Sequence, residues 1–333
     1  MRRIFFGISA LISAAFAAPA SADPVKIRVA WMQPVSNISS ILFAKKGIAR
    51  RFGQSYIMEP VHFDGTPLMV TGLAVGEIDV GVLGAASLGL GVLNANMDDL
   101  RIVADEFQDG AAKGYSNEFM VRDDGTINTV EDLKGKVIGT SSIGGAVDTA
   151  MRAMLRKHGL EDKRDYTVVE VPGSAKKAAL LSKKVDLVSL PLPFSYDPEL
   201  RAKGRTLFTQ KDIMGVSSMG FWAAREGFLK KNHDAFVDFM EDTLRLTRWY
   251  IDPKNHDEAV AIAAGFSKTK PDFFADWLFT DRDYYRDPDL KPNLDALQSN
   301  IDVTADLGFL PRKFDVKKLA DTEYLDEAAK RAR

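Results

Sequence analysis

The sequence predicts an α/β protein of two lobes, each a mostly parallel sheet flanked by helices, with a helical C-terminal segment packed on the first lobe. Three observations carry this reading. Strand and helix patterns alternate from Val25 to Ser87, the alternation restarts near Asn117, and the chain turns helix-rich after Phe221. Regular alternation of this kind builds a parallel sheet with helices on its faces.

Val25-Lys-Ile-Arg-Val-Ala-Trp31 alternates as a strand, Met32-Gln33-Pro34 is a loop, and Ser39 to Arg51 reads as a helix. Val61-His62-Phe63 is a short second strand. Thr66-Pro67 then opens a helix that runs through Leu68 to Val75 and stops at Gly76. Ile78 to Leu83 is a buried strand, and Gly84-Ala85-Ala86-Ser87 begins another helix. The second round has strands at Asn117–Val121, Val137–Thr140, Tyr166–Val171 and Val185–Leu190. Its first helix buries Val147, Ala150, Met151, Met154 and Leu155 at spacings of three and four, and a second covers Ser174 to Lys183. Phe228 to Leu244 reads as one long amphipathic helix, followed by helices at His256–Phe266, Pro271–Phe279 and Leu294–Leu307. Asp281 to Asp289 reads as a solvated loop, since it lacks the spacing of a calcium-binding hand. The expected division is residues 23–112 with 216–333 for the first lobe and 113–215 for the second.

Met1-Arg2-Arg3, the apolar stretch from Ile4, and Ala20-Ser21-Ala22 have the form of a secretory signal peptide over 1–22, with export to the periplasm expected. The leader holds two of the 44 basic residues, so the rest stays mildly acidic against 46 carboxylates. Such a balance has no electrostatic footprint for nucleic acid. There are no cysteines, which excludes disulfides, thiolate catalysis, cysteine-ligated metals and a lipid-modified cysteine. The four histidines, His62, His158, His233 and His256, show no metal spacing, and His158 reads as a helix cap. Gly215-Val-Ser-Ser-Met-Gly220 misses the nucleophile elbow by one residue, and no Walker loop is present. No cofactor and no enzymatic activity are therefore expected.

What remains is polar or small residues at four strand ends: Gln33, Ser36 and Asn37; Gly84, Ala85, Ala86 and Ser87; Ser141, Ser142, Gly144 and Gly145; and Pro191 to Phe194. In open parallel sheets ligands bind beyond these ends, where helix N-termini converge. The stretch "SSIGGAVDTA" at 141–150 lacks the lysine and glycine spacing of a nucleotide loop. An anion seat and a plain turn both remain open for it. Trp31, Phe107, Phe194 and Phe221 are candidate apolar walls.

Gly72-Leu-Ala-Val-Gly-Glu-Ile-Asp-Val-Gly81, Ile127-Asn-Thr-Val-Glu-Asp-Leu-Lys-Gly-Lys-Val-Ile138, Leu155-Arg-Lys-His-Gly-Leu160, Lys184-Val-Asp-Leu187 and Pro193-Phe194 occur in a telling order. In this the chain resembles the solute-binding proteins of ABC importers in the nitrate, sulfonate and taurine group, the SsuA/THI5-like family. The resemblance implies a type II periplasmic binding protein fold, hinged closure over a small anionic organic solute, and delivery to a membrane permease and ATPase by a monomer. Relatives often carry a Trp-Glu-Pro-Tyr-like segment where this chain has Pro191-Leu192-Pro193-Phe194. Leu192 cannot pair with an ammonium group, which disfavours a zwitterion such as taurine and favours a ligand with an apolar body. The resemblance leaves two alternatives: an enzyme on the same fold, as in thiamine-pyrimidine synthesis, or the sensing subunit of a membrane receptor.

Overall fold

The computed structural model describes residues 23–332, so the expected signal peptide over 1–22 lies outside the described residues. In chain order the strands are β1 (Val25–Trp31), β2 (Tyr56–His62), β3 (Val80–Leu83), β4 (Leu100–Asp109), β5 (Glu118–Arg122), β6 (Lys136–Thr140), β7 (Tyr166–Glu170), β8 (Leu187–Leu190), β9 (Gly204–Thr209) and β10 (Ser217–Arg225). The helices are α1 (Thr66–Val75), α2 (Ala85–Gly89), α3 (Ala146–Lys157), α4 (Lys176–Leu181), α5 (Pro198–Lys203), α6 (Lys211–Met214), α7 (Glu226–Lys231), α8 (His233–Ile251), α9 (His256–Ser267), α10 (Asp272–Ala275), α11 (Leu294–Asp306) and α12 (Glu323–Arg331).

The strands form two sheets of five, ordered β2-β1-β3-β10-β4 and β7-β6-β8-β5-β9. In the first, β1 runs parallel to β2 and β3, whereas β10 is antiparallel to both its neighbours. In the second, β6 runs parallel to β7 and β8, and β5 is the antiparallel member. The same order is thus built twice, and the antiparallel strand is each time the one that has just crossed from the other sheet. The strand order reverses between β1 and β3 and between β6 and β8. These are the switch points where the loops after parallel strands splay apart and leave a crevice.

Packing follows the periodicity. Along β5, Phe119 and Val121 face a core with Ile138, Leu187 and Met151 and Leu155 of α3, while Met120 faces Val188, Leu190 and Leu180 of α4. Successive side chains on a strand point to opposite faces, so this sheet is covered on both. The first sheet buries Ile27, Val29, Val80, Leu83 and Trp222 against Phe236, Phe239 and Met240 of α8. Full burial of each such side chain contributes roughly 2 kcal/mol before entropy is subtracted.

Several expectations are corrected. The helix expected over Ser39–Arg51 is instead two short 3-10 turns, Ile38–Ser40 and Leu42–Ala44. Ser39 is pulled out of register by Glu106, whose Oε1 accepts from both its amide and its hydroxyl, and Gly47 at φ +83° ends the run. The long helix at 228–244 breaks at Asn232 into α7 and α8; the Asn232 side chain donates to the carbonyl of Phe228 and closes the first. The helix expected over Pro271–Phe279 is only the single turn α10. The loop 281–289 is not solvated throughout, for Asp283 and Arg286 are 1% and 5% exposed. It lies along the crossing from β4 to β5: Tyr285 exchanges backbone hydrogen bonds with Gln108, and the Tyr115 amide donates to the Asp283 carbonyl at 2.7 Å. The Tyr284 hydroxyl donates to Asn117 Oδ1 at 2.6 Å and accepts from the Leu192 amide at 3.2 Å.

Candidate functional site

One small cavity has walls from both sheets. Ala85 and Ala86 of α2 meet Ala146 and Thr149 of α3, with Gln210 and Met214 beside the second crossing, Ser217 and Ser218 from the start of β10, and Asn300 and Thr304 from α11. Because β10 runs against β3, its N-terminal Ser217 and Ser218 stand past the C-terminal end of that strand, between β3 and β4. The space is about 10 Å³, on the order of a single water. None of its lining side chains is charged.

Three of its polar atoms are buried without a hydrogen-bond partner among the described residues: Thr149 Oγ1, Ser217 Oγ and Asn300 Nδ2. Asn300 is otherwise engaged, its Oδ1 accepting from the Ser218 amide at 3.1 Å, which aims the amide nitrogen away from the backbone. Buried polar groups are nearly always paired, and leaving one unpaired costs about 1–3 kcal/mol. Ala146 is the first residue of α3, a twelve-residue helix whose first-turn amides lack intrahelical partners. Hydroxyls, an amide nitrogen and a helix start converge on one point, a donor-rich set fit for an acceptor or an anion.

A wider recess of about 1070 Å³ lies beside Lys113, Lys254, His256, Arg282 and Arg286. All its walls lie outside 118–209, so it touches no element of the second sheet. A solute seated there has no wall of the second sheet to draw in. Ligand-driven closure needs contacts that differ between the open and closed states, so the smaller cavity is the better candidate despite its size.

Of the sequence-predicted residues, only Ala85 and Ala86 line this cavity. Gly84 and Ser87 close on each other: the Gly84 amide donates to Ser87 Oγ at 2.9 Å, and that hydroxyl donates to the Gly84 carbonyl at 3.0 Å. They shape the start of α2 and do not line this cavity. Asn37 holds the β1 turn, its Oδ1 accepting from the amides of Met32 and Gln33 and its Nδ2 donating to Glu106 at 2.7 Å. Gln33 itself is exposed. Ser36 is buried; its carbonyl accepts from Arg286 Nη2 at 2.8 Å, and its hydroxyl reaches the Leu192 carbonyl at 3.5 Å. Trp31 packs on His62 and Phe266 and does not line the cavity. Phe107 and Phe221 are core residues, and Phe194 lies over Gly173 so closely that a Cβ there would meet its ring at 2.1 Å.

In the glycine turn, too, the backbone amides have partners within the protein. The Ile143 amide donates to Glu170 Oε1 at 2.7 Å and the Gly144 amide to Asp148 Oδ2 at 2.8 Å. The Gly145 amide donates to the Ser142 carbonyl. The protein's own carboxylates therefore occupy the amides of the turn, and Arg152 holds Asp148 in place with Nε at 2.9 Å. Gly144 is needed for its φ of +77°. Ser141 is exposed and contacts a buried lysine rather than the cavity. His158 stands at the C-cap of α3, its backbone amide bonded to the last-turn carbonyls, and its Nδ1 lies 2.7 Å from Glu131.

These features define a class: two α/β lobes of matching strand order, crossed twice by the chain, with a polar seam between them. The model of the NMT1-like family matches residues 20–264, and the chain belongs to that family. Solved structures share the fold. The periplasmic aliphatic sulphonate binding protein SsuA from Escherichia coli is 21% identical, covering 89% of this chain and 92% of its own, with a TM-score of 0.68. The periplasmic nitrate-binding protein NrtA from Synechocystis PCC 6803 is 15% identical over 92% and 89%, with a TM-score of 0.71. The desulfurization enzyme DszB is 16% identical over 93% and 100%, with a TM-score of 0.66. At such identities the likeness is one of fold, the type II periplasmic binding protein fold. No curated protein matches the chain by sequence.

Proposed function

We propose that the protein is the extracytoplasmic solute-binding subunit of an ABC importer, and that it captures a small anionic organic solute, a sulfonate or carboxylate, between two lobes. In this reading residues 23–112 with 216–333 form one lobe and 113–215 the other, and the chain acts as a monomer that hands its solute to a permease–ATPase complex. The observation that carries the reading is the uncharged cavity with walls from both sheets and three unpaired polar atoms. Neutral donors and a helix start supply partners for an anion. Relatives of the same fold include proteins named for sulfonate and for nitrate. The cavity lining includes no histidine, lysine or carboxylate to serve as a base for Ser217 or Thr149, which favours binding over turnover. Among the described residues no helix is long and apolar enough to cross a membrane.

A space of one water admits no organic solute, so entry requires the lobes to part and binding requires them to close again over the guest. Thermal-shift screening of residues 23–333 against alkanesulfonates, aliphatic and aromatic carboxylates, nitrate and neutral heterocycles tests this. One anionic class should raise the melting temperature by mass action, with one site per chain by calorimetry. If no anion shifts the protein while one of these compounds is consumed, the binding-protein reading is overturned.

A further inference from the structure

Lys176, the first residue of α4, is fully buried. Its Nζ lies 2.5 Å from Ser141 Oγ, 2.6 Å from the Ser189 carbonyl and 3.0 Å from Ser189 Oγ. Three acceptors around one nitrogen match the three donors of an ammonium ion. Yet no carboxylate among the described residues lies within ion-pair distance of it, and the acids on the elements around it are committed elsewhere. Glu170 at the end of β7 accepts from the Ile143 amide. Asp186, just before β8, is held by Arg122 and by the Val137 amide. Asp197 and Glu199 pair with Lys177, the neighbour on α4. Burial with no opposing charge pushes the Lys176 amine down to about 7.

An ammonium that donates to Ser141 Oγ uses a lone pair of that oxygen and leaves its hydrogen free to point outward. Ser141 is exposed and sits just past β6, at the same end of the second sheet as α3 and the cavity. Of the two serines around the buried amine, Ser189 is itself fully buried and Ser141 is the one open to solvent.

We propose that Lys176 is the hidden counter-charge for the anionic group of the solute, acting as a positioning residue through Ser141: the ammonium donates to Ser141 Oγ, and the Ser141 hydroxyl donates to the anion. This rests on the solute-binding reading above and adds its charge selectivity. An anion on Ser141 stabilises the charged form of Lys176, so binding takes up a proton wherever the free amine is neutral. Affinity then falls as pH rises above neutrality, by up to about tenfold per pH unit for a single linked proton.

The test uses residues 23–333 with pentane-1-sulfonate, pentanoate and nitrate as probes, in titration calorimetry from pH 6 to pH 9 in two buffers of different ionisation enthalpy. The expected result for whichever probe binds is uptake approaching one proton at pH 8, little at pH 6, and a Kd that weakens at least tenfold across the range. Lys176→Met and Ser141→Ala should each abolish proton uptake and flatten the pH profile, with Kd at pH 6 weakened about tenfold. Should Lys176→Met fail to fold, Ser141→Ala carries the test, because the Lys176 amine keeps its two acceptors on Ser189. A bound probe with no proton uptake and a pH-independent Kd overturns the relay while the transport reading stands. Failure of all three probes to bind the unmodified protein, with no other anion of the panel shifting its melting temperature, overturns both.

Discussion

At the scale of single residues, the unpaired atoms of the cavity are the most direct handle on function. Ser217 Oγ and Thr149 Oγ1 have no protein partner to lose among the described residues. Ser217→Ala and Thr149→Val should therefore leave the melting temperature within a degree or two. Each should weaken solute binding about tenfold, the worth of one hydrogen bond to a charged acceptor. Calorimetry and a thermal melt on the same samples check both halves. Equal loss of affinity and stability would make the hydroxyls structural. These two residues were hidden in the sequence because the cavity joins distant segments: Thr149, Ser217 and Asn300 line it only once both sheets exist. Ala85 and Ala86 were legible because the first turn of a helix after a parallel strand faces the crevice whatever the side chain. Asn37, Ser87 and the glycine turn look the same in sequence as ligand-facing residues, yet they serve the backbone. A polar side chain near a strand end satisfies the nearest orphan amide as readily as a solute.

At the scale of elements, the strands at Val25, Ile78, Val137 and Tyr166 could be read because each is a short apolar or alternating run. The strands β4, β9 and β10 could not. Strand β4 carries Asp105, Glu106 and Asp109, all buried, and three acids in ten residues disguise a core strand. Their carboxyls are sustained by local partners: Gln108 for Asp105, Asn37 and Ser39 for Glu106, Ser116 and the Asn117 amide for Asp109. Burial nevertheless pushes Asp105 up to about 8 and Asp109 to about 7. An unfolded aspartate titrates near 4. Between about pH 4 and pH 8 the folded chain therefore holds a proton at Asp105 that the unfolded chain has released. The associated stability is complete below about pH 4 and is lost as pH rises through about 8. Asp105→Asn fixes the neutral form, so the melting temperature of the variant relative to the parent should climb from pH 5 to pH 8. A difference that stays flat with pH would show that Asp105 is ionised in the folded protein.

At the scale of the whole molecule, the repeated strand order sets how the chain must assemble. The second sheet uses only residues 118–209, one continuous stretch. The first sheet has β10 lodged between β3 and β4, so β4 has no neighbour until residues 217–225 arrive. Non-local pairing of this kind forms late, after loop closure over the intervening chain. In refolding followed by pulsed hydrogen exchange, amides of β6 and β8 should gain protection before those of β4 and β10. Simultaneous protection of all four would argue for a single cooperative step instead.

The crossing strands have a consequence for synthesis as well. A chain emerging from its N-terminus can complete the half made second but cannot seal the half made first until two-thirds of its length exists. The last-made strand is the keystone of the earliest-made sheet.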